Sequence, residues 1–239
     1  MNQVRAIAKM IDHALLHPSL TDQQMREGCQ IAMQLNVAAV CIKPYAISLA
    51  VDELSGSDVK VCTVIGFPHG NSRIALKEAE AEEACRAGAV ELDMVVNIGK
   101  VLSEKWEYVY EEIRVMQDVC RDNEALLKVI FENDFLPDDK FKIRLCEICS
   151  EIGVAFVKTS TGFGFAKGSD GRYDYNGATD YDLKLMRKHC APEVQLKASG
   201  GIRSLEDALR VRELGASRIG ASGTRAILAE ARRQFEITI

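Results

Sequence analysis

One local pattern recurs along the chain and limits the folds open to it: a helix-like segment, then Gly or Asn, then a small residue or Val, then a short apolar strand. It is written as "LNVAAVCI" (35–42), "AGAVELDMV" (87–95), "IGVAFVK" (152–158) and "LGASRIGAS" (214–222). In three of the four a glycine stands where a helix C-terminus wants a left-handed residue, and Asn36 in the first is the next best choice. Helix starts precede these strands. Thr21 with Gln24 and Ser204 with Asp207 have capping-box spacing, and Ser72 and Ser103 are single N-cap candidates.

Read in order, the apolar runs are "MIDHALL" (10–16), "AAVCI" (38–42), "KVCTVIGF" (60–67), "VELDMVV" (90–96), "LLKVIF" (126–131), "VAFVK" (154–158), "VQLKAS" (194–199) and "SRIGAS" (217–222). Each lies a helix-sized interval from the next. Eight such units in 239 residues predict an α/β fold, a (β/α)8 barrel with a short N-terminal helix. No linker or compositional break divides the chain, so one domain over 1–239 is expected. The first strand is the least determined, because "MIDHALL" can also continue the helix before it. A doubly wound sheet is the alternative, marked by G-x-G-x-x-G after its first strand. The chain has no such run; "GFGFAKG" has another spacing and follows a late strand.

A composition of 47% apolar and 27% charged residues supplies an ordinary globular core. The net charge of −5, with no run of Lys or Arg, excludes a general attraction to nucleic acid or anionic membrane. Small metabolites remain, including anions held in a local positive pocket. The opening "MNQVRAIAKMIDHALL" has no apolar stretch of signal-peptide length, and nowhere do eighteen apolar residues run together. A cytoplasmic location is expected. The eight cysteines are scattered through helix-like and strand-like stretches, which suits reduced thiols. Cys146 and Cys149 form a CxxC without a second pair or a nearby His, so packing on one helix face is expected rather than zinc.

Strand side chains alternate, so Glu91 and Asp93 share a face, as do Gln195 and Lys197. With those faces inward, Asp93, Lys128, Lys158 and Lys197 make a polar lumen where a purely structural barrel would place Val, Ile and Leu. Asp12, Asp93, Lys158 and Lys197 lie toward the C-terminal halves of their strands, the end where barrel enzymes carry their chemistry. Lys158 and Lys197 close neighbouring strands. Two ammonium groups held close in a dry site repel, and with desolvation this is expected to lower at least one toward neutrality, which makes a lysine nucleophilic. Asp93 and Lys197 as halves of a buried salt bridge, with Lys128 as a further partner, is the competing structural reading. Cys41 and Cys62 are expected as packing thiols, and His69 in "FPHG" as a solvated loop residue.

Two Gly/Ser loops, "ASGGIR" (198–203) and "GASGT" (220–224), follow the last two strands, where barrels often build a phosphate cradle. Gly200 and Gly201 admit close approach of an anion, and the Ser222 hydroxyl can donate to it. Together "IDHALL", "IGFPHG", "ELDMVVN", "LLKVIFE", "FVKTSTGF", "LKASGGIR" and "SRIGAS", in this order, resemble the 2-deoxyribose-5-phosphate aldolases, Schiff-base aldolases on a (β/α)8 barrel. The resemblance spans nearly the whole chain. It implies reversible cleavage of 2-deoxy-D-ribose 5-phosphate to acetaldehyde and D-glyceraldehyde 3-phosphate with no metal or organic cofactor. It further implies that Lys158 forms the imine, Lys197 tunes it, Asp93 joins the proton relay and Asp12 binds substrate hydroxyls. Thr161, Gly162, Gly200, Gly201, Arg203, Gly220 and Ser222 fall in substrate-binding segments, chiefly those lining the phosphate site.

The chain departs from that pattern at "GFAKGSDGRYDYN" (164–176), which reads as an extended loop over the mouth. A lid, a subunit contact in a homo-oligomer, or a change of acceptor specificity are all open to it, with Lys167 and Arg172 as added positive charge. The ending "RRQFEITI" lacks the C-terminal tyrosine some relatives carry. Two further readings are another Schiff-base aldolase acting on a different aldehyde, and a phosphosugar-binding barrel without catalysis.

Overall fold

The computed structural model describes residues 3–168 and 170–235. The end of the tail, 236–239, lies outside them, as do 1–2 and Ser169. Ten strands and ten α-helices occur among the described residues. The strands are β1 (Ile11–Leu15), β2 (Ala39–Ile42), β3 (Lys60–Ile65), β4 (Glu91–Val95), β5 (Leu126–Ile130), β6 (Phe156–Lys158), β7 (Ala166–Lys167), β8 (Tyr173–Asp174), β9 (Gln195–Ser199) and β10 (Ala216–Ala221). The helices are α1 (Gln3–Ala8), α2 (Asp22–Leu35), α3 (Ile47–Glu53), α4 (Ile74–Arg86), α5 (Ile98–Leu102), α6 (Trp106–Asp122), α7 (Asp139–Ile152), α8 (Asp180–His189), α9 (Leu205–Glu213) and α10 (Thr224–Phe235).

Eight of the strands close into a parallel barrel in the order β1-β10-β9-β6-β5-β4-β3-β2, the predicted (β/α)8 architecture. "MIDHALL" holds a strand and not the end of a helix, since α1 stops at Ala8. The left-handed residues fall where the repeat predicts them, with φ of 49° at Asn36, 103° at Gly88, 77° at Gly153 and 97° at Gly215. Both capping boxes form, at Thr21/Gln24 and Ser204/Asp207. The single caps do not. Helix α4 is preceded by Arg73 and α6 by Lys105, neither giving a side-chain cap, and the Ser103 hydroxyl donates back to the Gly99 carbonyl at 2.7 Å. Those two helices are held by packing rather than by their ends: buried Val109, Ile113 and Met116 on α6 lie at helical spacing in the apolar shell.

That shell fills the space between the strands and the helices. A second, smaller apolar group, Ala39, Cys41, Cys62 and Val64, lies on β2 and β3 with Leu16 and Phe67 packed against it. Cys146 and Cys149 are buried on α7, in the packing role expected for them. Among the described residues no helix is long and apolar enough to cross a membrane.

Segment 164–176 is not an extended loop. Its strands β7 and β8 pair antiparallel, Ala166 opposite Asp174 and Lys167 opposite Tyr173. The Gly168 N–H donates to the Arg172 carbonyl at 2.8 Å, and the Arg172 N–H to Asp170 Oδ1 at 3.0 Å. Phe165 and Tyr175 flank the hairpin in a T-shaped contact with centroids 5.1 Å apart.

Candidate active site

Strand register brings the charged residues together. Asp93 on β4 is opposite Lys128 on β5, and Lys158 at the end of β6 is opposite Lys197 on β9. All four are buried. Asp93 is the hub. Its Oδ1 accepts from Lys128 Nζ at 2.7 Å, and its Oδ2 accepts from both Lys158 Nζ and Lys197 Nζ at 2.7 Å. Lys197 also donates to Asp12, whose other oxygen accepts from Arg218 Nη1 at 2.7 Å. Glu91 completes the floor, 2.7 Å from Lys128 and 2.9 Å from Arg218.

The salt-bridge and catalytic readings of Asp93 therefore meet in one geometry: it is bridged to Lys128, and the same carboxylate joins the two strand-end lysines. Burial works to raise the Asp93 carboxyl, but the ammonium groups of Lys128, Lys158 and Lys197 outweigh it and hold it well below the ordinary carboxylate range. Asp12 is held low in the same way by Lys197, Lys128 and Arg218 against its own burial. Of the two strand-end lysines, Lys197 is not the one lowered. Burial disfavours its charge, yet Asp12 and Asp93 together outweigh both burial and the repulsion from Lys128, so its ammonium is held above the ordinary lysine range. Two carboxylates thus favour the ammonium form of Lys197.

Above this floor lies a cavity of about 240 Å³. Asp12, Lys158, Thr161, Gly162, Lys197, Gly200, Gly201, Arg203, Gly220 and Ser222, every expected substrate-binding residue among them, line it. Asp93 sits beneath, reached through Lys158 and Lys197. The backbone at Gly220 comes close to the site: a Cβ there would lie 2.9 Å from Ser199 Oγ and 3.6 Å from Lys197 Cε. The Arg203 N–H is taken by Asp207 at 3.0 Å, which leaves its guanidinium as the group free to meet a ligand. Cys41 is buried as expected but also borders the cavity. His69 is exposed and Lys167 and Arg172 stay outside the lining, Arg172 lying 3.9 Å from Asp170.

Several residues of the site carry no role in the sequence reading. Arg218 is one, and Tyr175 from the hairpin is another, since it joins the cavity wall. Glu132 is a third: buried, with φ of 58°, it accepts the Thr161 N–H at 3.1 Å and the Thr161 hydroxyl. Burial pushes its carboxyl up. The signal for Glu132 was its place directly after a strand, in "LLKVIFE". Two groups of metal-ligand type lie close together, Cys41/Cys62/Asp93 and Asp12/Cys62/Glu91. Their carboxylates are already engaged by Lys128, Lys197 and Arg218, so a divalent cation would enter against fixed positive charge. The arrangement suits amine chemistry instead, with a lysine beside a shared carboxylate, under a cavity whose glycine-walled end admits an anion.

Residues 6–230 match the family model of the DeoC/LacD family aldolases. The chain is 49% identical over 233 residues to the deoxyribose-phosphate aldolase of Rhodopirellula baltica, across 98% of this chain and 92% of that one. It is 46% identical over 229 residues to the deoxyribose-phosphate aldolase of Caldanaerobacter subterraneus subsp. tengcongensis, across 95% and 94%. Among solved structures, the tetrameric deoxyribose phosphate aldolase of Aeropyrum pernix matches with a TM-score of 0.84 at 30% identity, over 99% of this chain and 93% of that one.

Proposed function

Because this chain belongs to the DeoC/LacD aldolase family, we propose that it works through an imine on Lys158, with Asp93 and Lys197 moving the proton. The reaction is that of a class I deoxyribose-phosphate aldolase: 2-deoxy-D-ribose 5-phosphate is cleaved reversibly to acetaldehyde and D-glyceraldehyde 3-phosphate. One observation carries the assignment of roles. A single oxygen, Asp93 Oδ2, lies 2.7 Å from both Lys158 Nζ and Lys197 Nζ.

Lys158, as the free amine, adds to the C1 aldehyde of the open-chain sugar, and loss of water from the carbinolamine gives the protonated imine. That cation is the electron sink. Transfer of the C3 hydroxyl proton, through a shared water, to the Asp93 carboxylate lets the C2–C3 electrons flow into a C1–C2 enamine and releases glyceraldehyde 3-phosphate, and the same proton is available for C2. Protonation of the enamine at C2 and hydrolysis then return the amine and acetaldehyde. Asp93 receives and returns the proton at Lys158, and Lys197, held cationic, is the acid that restores it. Asp12 fixes Lys197 and meets the hydroxyl-bearing part of the sugar along the cavity wall. Thr161, Gly162, Gly200, Gly201, Arg203, Gly220 and Ser222 receive the phosphate, with glycine N–H groups and the Arg203 guanidinium as donors.

Borohydride reduction in the presence of acetaldehyde, followed by peptide mapping, tests the imine. A reduced adduct on Lys158 is expected; folded protein with no adduct would overturn the reading. A homo-oligomeric assembly belongs to the same proposal, supported by the tetrameric relative from Aeropyrum pernix and checked by sedimentation. So does a cytoplasmic location, supported by eight free thiols.

A further inference from the structure

The hairpin at 164–176 reaches the site through its return strand, which delivers Tyr175 to the cavity wall beside Gly200 and Gly201. The approach is close. A Cβ on Gly200 would lie 3.4 Å from Tyr175 Cε2 and 2.9 Å from Gly177 Cα, and one on Gly177 would lie 2.6 Å from the Gly200 carbonyl oxygen. The Ala178 N–H donates to that carbonyl at 3.1 Å. The root of the hairpin and the glycine loop are thus packed backbone to backbone. Behind the ring stands Phe165, and below it Asp134 accepts the N–H groups of Asn176 at 2.6 Å and Gly177 at 3.1 Å.

We propose that Tyr175 is a specificity-determining residue whose ring walls the phosphate end of the cavity and favours phosphorylated substrates over their unphosphorylated counterparts, with Asp134 as the positioning residue that holds it there. This rests on the imine reading of Lys158 and on the glycine loops as the phosphate cradle. A ring against Gly200 displaces water from the outer side of a bound phosphate, and attraction between the anion and the loop N–H groups strengthens as water leaves. A sugar without the phosphate has little to gain from the same wall. Because the ring is remote from the carbons that react, its effect falls on binding common to ground and transition states, and so on KM.

The test compares the full-length wild-type chain with Tyr175→Ala, Tyr175→Phe and Asp134→Ala, on 2-deoxyribose 5-phosphate and on 2-deoxyribose, with acetaldehyde trapping run in parallel. Tyr175→Ala is expected to raise KM for the phosphorylated sugar about tenfold and to lower the ratio of the two kcat/KM values by a similar factor. Asp134→Ala should move the ratio the same way by about threefold, and Tyr175→Phe, which keeps the ring, should hold most of the preference. Trapping on Lys158 should be as in wild type, since acetaldehyde carries no phosphate. An unchanged ratio in Tyr175→Ala, an equal loss on both sugars, or a Phe variant as poor as the Ala variant would each overturn the inference while Lys158 is still trapped. No trapped adduct in the wild-type chain would instead overturn the imine reading, and this inference with it.

Discussion

The lumen of the barrel and the layer between its strands and helices both bury charge, and they balance it differently. In the lumen three carboxylates, Asp12, Glu91 and Asp93, meet four cations, Lys128, Lys158, Lys197 and Arg218. In the helix layer Lys77 on α4 meets Glu112 on α6 one to one at 2.7 Å, both fully buried. Backbone completes that pair: Lys77 Nζ donates to the Val95 carbonyl at 2.6 Å, and Glu112 accepts the Asn97 N–H at 2.8 Å. A matched pair with its remaining valences satisfied has nothing left to offer a visitor. Four cations against three carboxylates leave one positive charge over, which attracts an anionic substrate and favours release of one proton from the network, as an amine nucleophile requires. Both groups are costly to bury, and only the unequal one is chemically poised.

The contrast is broken most severely at Lys158. Lys158→Arg preserves the charge count but not the nucleophile, so turnover should fall on the order of 10⁴-fold or more while the melting temperature stays near that of wild type. Substantial activity in the folded variant would remove Lys158 from the chemistry. Lys197→Leu removes the surplus cation instead. We expect activity to drop by roughly 10²–10⁴-fold and its optimum to move to higher pH, because a lumen short of one cation gives up its remaining protons less readily. A pH–rate profile of unchanged shape would deny Lys197 any part in setting the proton inventory.

How much of this was legible in the sequence depended on whether the relevant neighbours were local. Lys158 and Lys197 stood out because their residue type is wrong for a barrel interior, and their pairing followed from strand order alone. The direction in which Lys197 is displaced did not, because Asp12 and Asp93 reach it from β1 and β4, and no pattern within β9 announces either. Arg218 was hidden by a register shift between Ala216, which pairs with Leu196, and Arg218, which pairs with Lys197; strict alternation from Ala216 would have turned it outward. The hairpin was missed for another reason. Strands of two residues are too short to show a period, and its strand ends are held by the Phe165–Tyr175 ring contact and by the Gly168–Arg172 hydrogen bond.

In the helix layer the effects should fall on stability and spare turnover. Lys77→Met strands Glu112 without its cation, at an expected loss of about 3–5 kcal/mol in denaturant unfolding, with kcat per folded molecule close to wild type. Adding Glu112→Leu removes the orphan charge and should recover most of that loss. If the double variant is as unstable as the single one, the pair is not the self-contained unit its geometry describes.

The smallest expected effect belongs to His13, the outward neighbour of Asp12 on β1. Buried, it shares a 2.8 Å hydrogen bond with the Thr224 hydroxyl at the start of α10. Burial, with a smaller contribution from Arg225, lowers it from 6.5 to about 4. A folded value below the unfolded one means that the folded state resists protonation. The stability it confers is therefore complete above pH 6.5 and is lost as pH falls from there through about 4, a total of about 3 kcal/mol with most of it gone by pH 5. The lumen carboxylates, held low, begin to give up their own contribution only as pH drops toward the ordinary carboxylate range near 4, whereas Glu112 and Glu132, pushed up by burial, act with the opposite sign, so the His13 contribution between pH 7 and 5 is read as a difference between wild type and variant. Unfolding free energies measured across that window should fall more steeply toward pH 5 in the wild-type chain than in His13→Phe. Equal slopes would deny His13 any part in the pH dependence of stability.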